Sequence, residues 1–255
     1  MNVTYLLPDT TISGRARTVL AQADALIARG HRVRIASEEE PVSWRPLRAE
    51  WLYADDLAAV EDDVVLTEPP EGFEIVDEEV FRARMPRENE PMRVLLVGAS
   101  QDESKAVEDG YGAAAHARWF HQRFDLIRVS PWAPSREEPL DAVQEFHVGL
   151  TAAEMTRLTH SCDAIIAPEQ RFSLSTAEAL AAGLPAAMTT AHASWEYGLY
   201  APPDNAVELG ERLIELLSDE ELRERLRRRG RAIAEQWRAS DVAARLEAWL
   251  SGASK

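Results

Sequence analysis

Short apolar strands alternate with helices along most of this 255-residue chain, and this alternation limits the possible folds more than any other feature. The run NVTYLLP (2–8) predicts a strand, RARTVLAQADALIARG (15–30) a helix, and HRVRIAS (31–37) a second strand. AEWLYA and DDVVLTEP predict two further strands, with a helical turn at DDLAAVE between them. Strands that alternate with helices in this way predict a parallel sheet covered by helices.

The same pattern starts again after residue 91. Residues 68–91 are rich in proline and glutamate and have no sustained period, which predicts a linker. MRVLLVGAS then predicts a fully buried strand, and DLIRVS, EFHVG and DAIIAP follow it with helical segments between them. We therefore predict an α/β protein with two Rossmann-like, doubly wound domains. The first spans 1–85 with its linker, the second spans 92–235, and a helical tail at 236–255 returns to the first.

The stretch RFSLSTAEALAAGLPAAMTT (171–190) predicts a short helix followed by a buried strand. Ser175 and Glu178 have the spacing of a capping box, in which each side chain bonds to the backbone amide of the other residue. Gly183 fits the left-handed position just past a helix end, and Pro185 prevents the helix from continuing. The amides at the start of this helix carry a partial positive charge and can bind an anion.

Charge and cysteine content exclude several classes of protein. The chain has 28 basic and 44 acidic residues, a net charge of -16, and we therefore expect no nucleic-acid partner. No apolar run approaches the roughly 20 residues that cross a bilayer, and the N-terminus resembles no signal peptide, so a cytoplasmic protein without a transmembrane segment is expected. Cys162 is the only cysteine, which excludes an intramolecular disulfide and favours a buried structural thiol. The arginine-rich segment at 223–231 is interpreted as a solvated helix face, with an anionic partner as the alternative.

The second half of the chain resembles a known family in its sequence. Seven residues fall in register with the signature of the retaining GT-B-fold glycosyltransferases, the family that contains sucrose synthases and bacterial mannosyl- and glucosyltransferases: Phe172, Leu174, Glu178, Ala179, Gly183, Leu184 and Pro185. VLLVGASQDESKA, EMTRLTHSCDAIIAPE and GLYAPPDNAVELGERL resemble other segments of that family in the same order. The resemblance covers most of residues 92–250 and, more loosely, the first 40. It implies a GT-B-like fold.

This resemblance also implies a function and a site. A sugar would move from a nucleotide-diphosphate donor to an unknown acceptor, with its anomeric configuration retained and without a metal or other cofactor. Lys105 and the helix amides at Ser175 and Thr176 would contact the diphosphate, and Glu178 would accept hydrogen bonds from the ribose. The implied donor site comprises Gly14, Gly98, Lys105, Gln170, Arg171, Phe172, Ser173, Leu174, Ser175, Thr176 and Glu178. The resemblance identifies no catalytic residue.

The sequence departs from the family in the signature loop and in the first domain. Gln170 stands where the family has its first signature glutamate, with Glu169 one place before it, and Arg171 and Ser173 replace glycines. Gln170 cannot supply a negative charge. The first domain is shorter and lacks the segments that shape an acceptor site.

Two other functions therefore stay open. The first is a non-catalytic nucleotide-sugar-binding relative, or a partner subunit of another glycosyltransferase in which a partner protein completes the acceptor site. The second is a different Rossmann-type enzyme such as a dinucleotide oxidoreductase, which is disfavoured because the chain lacks the G-x-G-x-x-G fingerprint.

Overall fold

The computed structural model describes residues 1–53, 64–70, 72–82, 90–99, 106–120, 122–170, 172–189 and 197–253. The chain forms two compact units. Unit 1 consists of Met1–Val76 and Gln236–Lys255, and unit 2 consists of Asp77–Glu235. The described residues of the predicted linker form turns and irregular structure.

Unit 1 is built on a parallel sheet of four strands. These are β1 (Asn2–Leu6), β2 (Arg32–Ser37), β3 (Glu50–Tyr53) and β4 (Val64–Leu66), in the order β3-β2-β1-β4. Helix α1 (Gly14–Ala28) connects β1 to β2 and begins where the Ser13 side chain accepts from the Ala16 amide. The predicted turn DDLAAVE lies outside the described residues.

The C-terminal helix α7 (Ala239–Ala253) belongs to unit 1, although its sequence follows unit 2. Leu246 and Leu250 of α7 are fully buried in the same apolar cluster as Val3 of β1 and Val19 of α1. The helical tail therefore completes the core of the first unit, because without it these β1 and α1 side chains would lose part of their apolar contact surface.

Unit 2 is built on a parallel sheet of six strands with the order β10-β9-β8-β5-β6-β7. The strands are β5 (Met92–Val97), β6 (Phe124–Ser130), β7 (Glu145–Val148), β8 (Ala164–Ala167), β9 (Ala186–Met188) and β10 (Gly198–Tyr200). The helices are α2 (Val107–Trp119), α3 (Ala152–His160), α4 (Leu174–Ala182), α5 (Ala206–Ser218) and α6 (Glu220–Ala234). The alternation of strands and helices confirms the predicted α/β class, and β10 is a strand that the sequence did not reveal.

The strand order of unit 2 makes it doubly wound. From β5 the chain adds β6 and β7 on one side, then returns to add β8, β9 and β10 on the other. The direction of winding therefore reverses between β5 and β8. In open parallel sheets ligands bind outside the carboxyl ends of the strands at such a reversal.

Three arginines of α6 neutralise helix ends in unit 2, which corrects the interpretation of 223–231 as a solvated face. Arg223 is buried and donates to the carbonyl oxygens of Leu216 and Leu217 at the end of α5. Arg227 and Arg231 donate to carbonyl oxygens at the end of α4. Cations are favoured at helix C-termini, where the last carbonyls lack partners. Only the remaining arginines of this segment, Arg225, Arg228 and Arg229, are exposed.

Candidate functional site

The reversal between β5 and β8 brings two predicted site segments to one edge of the sheet. Gly98 directly follows β5, and its amide donates to the carbonyl oxygen of Val129 at 3.0 Å. Residues 168–170, 172 and 173 lie between β8 and α4. Because β5 and β8 are adjacent and parallel, both segments leave the sheet at the same edge. Lys105 and Arg171 lie outside the described residues.

Helix α4 begins two residues earlier than the sequence predicted. Its N-cap is Ser173, whose backbone is extended and whose side chain accepts from the Thr176 amide at 3.5 Å. Ser175 is therefore inside the helix, and Glu178 lies in the second turn, where its carboxylate cannot form a capping box. The predicted capping box is wrong. RFSLST contains two serines that could act as the N-cap, and the contacts of Ser173 in the folded chain make it, and not Ser175, the N-cap residue.

Those tertiary contacts come from Glu169, which directly precedes Gln170 in the loop after β8. Glu169 is 3% exposed. Its Oε1 accepts a hydrogen bond from the Ser173 hydroxyl at 2.6 Å and another from the Thr176 hydroxyl. The Glu169 carbonyl oxygen accepts from the hydroxyl of Thr189, which follows β9, at 3.2 Å. Glu169 thus joins the ends of β8 and β9 to the first turn of α4.

Glu178 is also buried, at 2% exposure, on a helix whose other residues are mostly apolar. Leu174 and Thr176 are buried beside it in the same helix, whereas Phe172, Ser173 and Ser175 are partly exposed. Gln170 is exposed. These residues therefore lie within one short segment, and those with accessible side chains cluster around the start of α4. Gly14 is the first residue of α1 and belongs to unit 1.

The first two amides of α4 are distinguished from the next two by their lack of a described acceptor. Within the described part of the chain, the amides of Leu174 and Ser175 meet no acceptor, whereas the Thr176 and Ala177 amides bond to Ser173. No acidic residue occurs in the first turn. Unpaired amides and the helix dipole together favour an anion at this position.

The other end of α4 is closed by Gly183 and by two arginines. Gly183 adopts φ +85°, a left-handed conformation, and its amide donates to Leu180. Arg231 donates to the Ala182 carbonyl at 3.1 Å, and Arg227 to the Gly183 carbonyl at 3.3 Å. The predicted glycine stop is confirmed, and the arginines were missed because sequence alone does not place α6 against α4.

A buried ion pair lies near the carboxyl end of β6. The Nε of Arg128 donates to Oε1 of Glu138 at 2.8 Å, and the Tyr111 hydroxyl donates to the same oxygen at 2.7 Å. Arg128 is fully buried, and its Nη2 has no partner among the described residues. Burial is the main factor that raises the pKa of Tyr111. Sequence reasoning missed this network because an arginine inside an apolar strand is not distinguishable from an exposed one until the helix layer is known.

The described residues offer neither a metal-binding cluster nor a membrane-spanning helix. No group of three or more His, Cys, Asp and Glu side chains there is arranged to hold a metal ion. No described helix is both long and apolar enough to cross a membrane.

The chain is similar in structure to several glycosyltransferases. WaaG, a glycosyltransferase involved in lipopolysaccharide biosynthesis, matches with a TM-score of 0.71 and 14% identity over 98% of this chain and 100% of that chain. Sucrose-phosphate synthase from Thermosynechococcus elongatus matches with a TM-score of 0.66 and 14% identity, covering 98% of each chain. HepE from Anabaena, solved in complex with UDP and glucose, matches with a TM-score of 0.66 and 12% identity over 98% of this chain and 99% of that chain.

Sequence comparisons give no such match: no protein-family model and no curated protein matches this sequence. At these identities the structural likeness establishes the fold. It is the GT-B fold, with two Rossmann-like domains and C-terminal helices, and the predicted fold class is confirmed.

Proposed function

We propose that this chain, which has the GT-B fold, transfers a sugar from a nucleotide-diphosphate donor to an acceptor. One observation carries the proposal: the signature-like segment 170–178 lies at the carboxyl ends of β5 and β8, where the sheet of unit 2 reverses its winding. The similar HepE structures were solved with UDP and glucose and with UDP-glucose. A nucleotide sugar is therefore the ligand to test first.

The donor diphosphate is assigned to the start of α4. The amides of Leu174 and Ser175 have no acceptor among the described residues. They lie at the N-terminal end of α4, where the helix dipole favours negative charge. Lys105 and Arg171 are proposed to add cationic contacts. These groups would stabilise the charge that develops on the diphosphate as the bond between the anomeric carbon and the phosphate oxygen breaks and its electron pair passes to that oxygen.

Glu178 is proposed to accept hydrogen bonds from the two ribose hydroxyls. Hydrogen bonds to an ionised carboxylate are stronger than those between neutral groups. Glu178 is 2% exposed, so any hydrogen bond that it accepts is poorly solvated. Gln170 is exposed in the loop that precedes α4 and is proposed to contact the sugar through its amide. Retention of configuration is part of the proposal, with the donor phosphate assisting attack by the acceptor on the same face.

A specific observation favours the alternative, a non-catalytic nucleotide-sugar-binding protein or a partner subunit of another glycosyltransferase. Among the described residues of the loop after β8, the exposed side chain is the neutral Gln170, while the adjacent carboxylate of Glu169 accepts hydrogen bonds from Ser173 and Thr176. A site of this composition can bind a sugar without supplying negative charge to it. In that case a partner protein would complete the acceptor side.

Both functions are tested by titrating the full chain with a panel of nucleotides and nucleotide sugars. Each ligand that binds is then used in hydrolysis and transfer assays. Binding with turnover supports the transferase. Binding without turnover, even with a range of candidate acceptors, supports the binding protein or partner subunit. Absence of affinity for every member of the panel would refute both.

A further inference from the structure

We propose that Trp132, in the loop after β6, is the residue on which the base of the bound nucleotide stacks. This inference rests on the proposed function, because it needs a nucleotide at the carboxyl edge of the sheet in unit 2. It does not require the diphosphate to lie at the start of α4. None of the site residues implied by the family resemblance lies in the loop after β6.

Trp132 lies one strand away from the reversal of winding. β6 ends at Ser130 and pairs in parallel with β5, so the loop that begins at Pro131 leaves the sheet at the same edge as Gly98. In doubly wound sheets that bind nucleotides, the phosphates lie at the end of the first strand and the nucleoside reaches toward the end of the second. β5 and β6 are the first and second strands of unit 2. A residue that receives the base is therefore expected in the loop that carries Trp132.

The side chain of Trp132 is 39% exposed, although its backbone is fixed. The Trp132 amide donates to the hydroxyl oxygen of Ser130 at 3.3 Å, and Ser130 is itself buried. The Ser130 carbonyl oxygen accepts from the Gly149 amide at 2.9 Å, which joins this loop to the end of β7. Pro131, between Ser130 and Trp132, has a fixed φ. An indole held in this way loses little conformational entropy when a ligand packs against it.

The other end of the loop is held by the buried ion pair of Arg128 and Glu138. Oε1 of Glu138 accepts from Nε of Arg128 at 2.8 Å and from the hydroxyl of Tyr111 at 2.7 Å. Replacement of a buried ion pair by apolar side chains of similar volume is often neutral or stabilising, so the pair is weak evidence for a role in stability alone. Its position gives it another role, since it fixes the end of segment 131–138 opposite to Ser130. Trp132 is thus part of a loop that is anchored at both ends.

The base is the part of a nucleotide that an indole recognises. Its ring is planar and uncharged and stacks on an aromatic face, whereas a diphosphate is charged and strongly hydrated. A base stacked on an aromatic side chain gains about 5- to 150-fold in affinity. Every base has such a face, so Trp132 adds affinity without selecting one base. Donor and nucleoside diphosphate product carry the same base, and Trp132 therefore contributes equally to the binding of both.

The test is isothermal titration calorimetry of the full chain and of Trp132→Ala with UDP and with UDP-glucose. If the nucleotide panel selects another base, the corresponding diphosphate and its sugar replace these two ligands. Trp132→Ala should weaken both ligands by the same factor, between about 5- and 150-fold. The matched control is Trp119→Ala. Trp119 is 81% exposed at the end of α2, and because α2 connects the parallel strands β5 and β6, this end lies at the amino edge of the sheet. The control should leave both affinities unchanged.

Each result has a defined meaning. Equal losses for both ligands in Trp132→Ala, but not in Trp119→Ala, support the proposal. Unchanged affinities in a folded Trp132→Ala protein overturn it, and so does a loss confined to UDP-glucose, because Trp132 would then contact the sugar; in both cases the proposed function stands. If the unaltered chain binds no nucleotide and no nucleotide sugar, the proposed function fails and this inference fails with it.

Fluorescence gives a second readout, which a purely structural role of Trp132 would not change. A base that stacks on an indole quenches its fluorescence. The quenching caused by saturating UDP should therefore be smaller in Trp132→Phe than in the unaltered chain and should be preserved in Trp119→Phe. Phenylalanine keeps an aromatic ring, so Trp132→Phe also covers the case in which Trp132→Ala does not fold. Equal quenching in all three proteins would overturn the proposal.

Discussion

Replacement of Gly183 by alanine tests how α4, the helix that carries Glu178 and three other candidate site residues, is held in place. Gly183 has φ +85°, and a Cβ added there would lie 2.5 Å from Nε of Arg231 and 3.0 Å from its Cζ. Alanine in a left-handed conformation costs about 1–2 kcal/mol. The added methyl group also displaces Arg231, whose Nη2 donates to the Ala182 carbonyl at 3.1 Å.

The cost of displacing Arg231 follows from its contacts. A hydrogen bond from a charged donor contributes about 1.5–3 kcal/mol, and because Arg231 is partly solvated we take a value near the lower end. Together with the backbone strain, Gly183→Ala is expected to lower the free energy of unfolding by about 3 kcal/mol. Gly30 provides the reference, because it has φ +88° and an added Cβ would meet no atom within 4 Å, so that Gly30→Ala should cost only about 1–2 kcal/mol.

A double-mutant cycle separates the two contributions within unit 2. With Arg231→Ala as background, Gly183→Ala should cost only the backbone strain, which leaves a coupling energy of about 1.5 kcal/mol between the two positions. Urea unfolding followed by circular dichroism measures each variant, with separate transitions fitted if the two units unfold independently. Hydrogen exchange of α4 amides locates the effect.

One outcome would refute this account. If Gly183→Ala costs the same with and without Arg231, and no more than Gly30→Ala, then the contact between α6 and the end of α4 contributes nothing to stability. A positive coupling accompanied by weaker nucleotide binding would instead indicate that α6 holds the start of α4 in its binding position through the helix itself.

Four further predictions concern single sites. Glu178→Ala should weaken nucleotide binding by about 100-fold or more in calorimetry, because it removes two charge-assisted bonds, and unchanged affinity in a folded variant would remove the ribose role. Arg128→Met should cost about 3–5 kcal/mol in urea unfolding, and Arg128→Met combined with Glu138→Gln less, since the single change removes the arginine that pairs with a buried carboxylate; equal costs would contradict the buried pair. Burial raises the pKa of Cys162 from 9.0 to about 11. The neutral thiol's contribution to the free energy of unfolding is fully present below pH 9 and is lost as the pH rises toward 11. Between these pH values Cys162→Ala should therefore lose less stability than the unaltered chain. Rapid alkylation of the native thiol at about pH 8 would argue against its burial. Gly210→Ala should lower the melting temperature by several degrees, because its Cβ would lie 3.0 Å from the Ala113 carbonyl and 2.8 Å from the Cβ of His116.

The strands and helices of unit 2 show where sequence reasoning succeeds. β5, β6 and β8 are short runs rich in apolar residues and mostly buried, and this composition identifies them as strands. Gly183 marked the end of α4 correctly, because a glycine followed by Pro185 is a local signal with a local cause. β10 escaped notice because three residues at a sheet edge carry too little pattern to distinguish them from a loop.

The start of α4 shows where sequence reasoning fails. Ser173 and Ser175 both satisfy the local rule for an N-cap, and the choice between them depends on Glu169, a residue that reaches the helix from the end of β8. The resemblance to glycosyltransferase signatures pointed to Gln170 and Glu178. It gave no reason to consider the carboxylate of Glu169, one residue before the expected position.

The sequence by itself determined the periodic features of this protein: the alternation of strands and helices, the end of α4 at Gly183, and the order of segments that resemble a glycosyltransferase. These depend on contacts within a few residues, so their physical causes are present in the local sequence. Only the tertiary structure decided which serine caps α4, that Arg227 and Arg231 close its other end, and that Arg128 lies buried against Glu138. Arg227 and Arg231 contact α4 from a helix distant in sequence, whereas Ser173 lies four residues from Glu169 and Arg128 ten residues from Glu138. All of these hydrogen bonds form only when the sheet and its helices have packed.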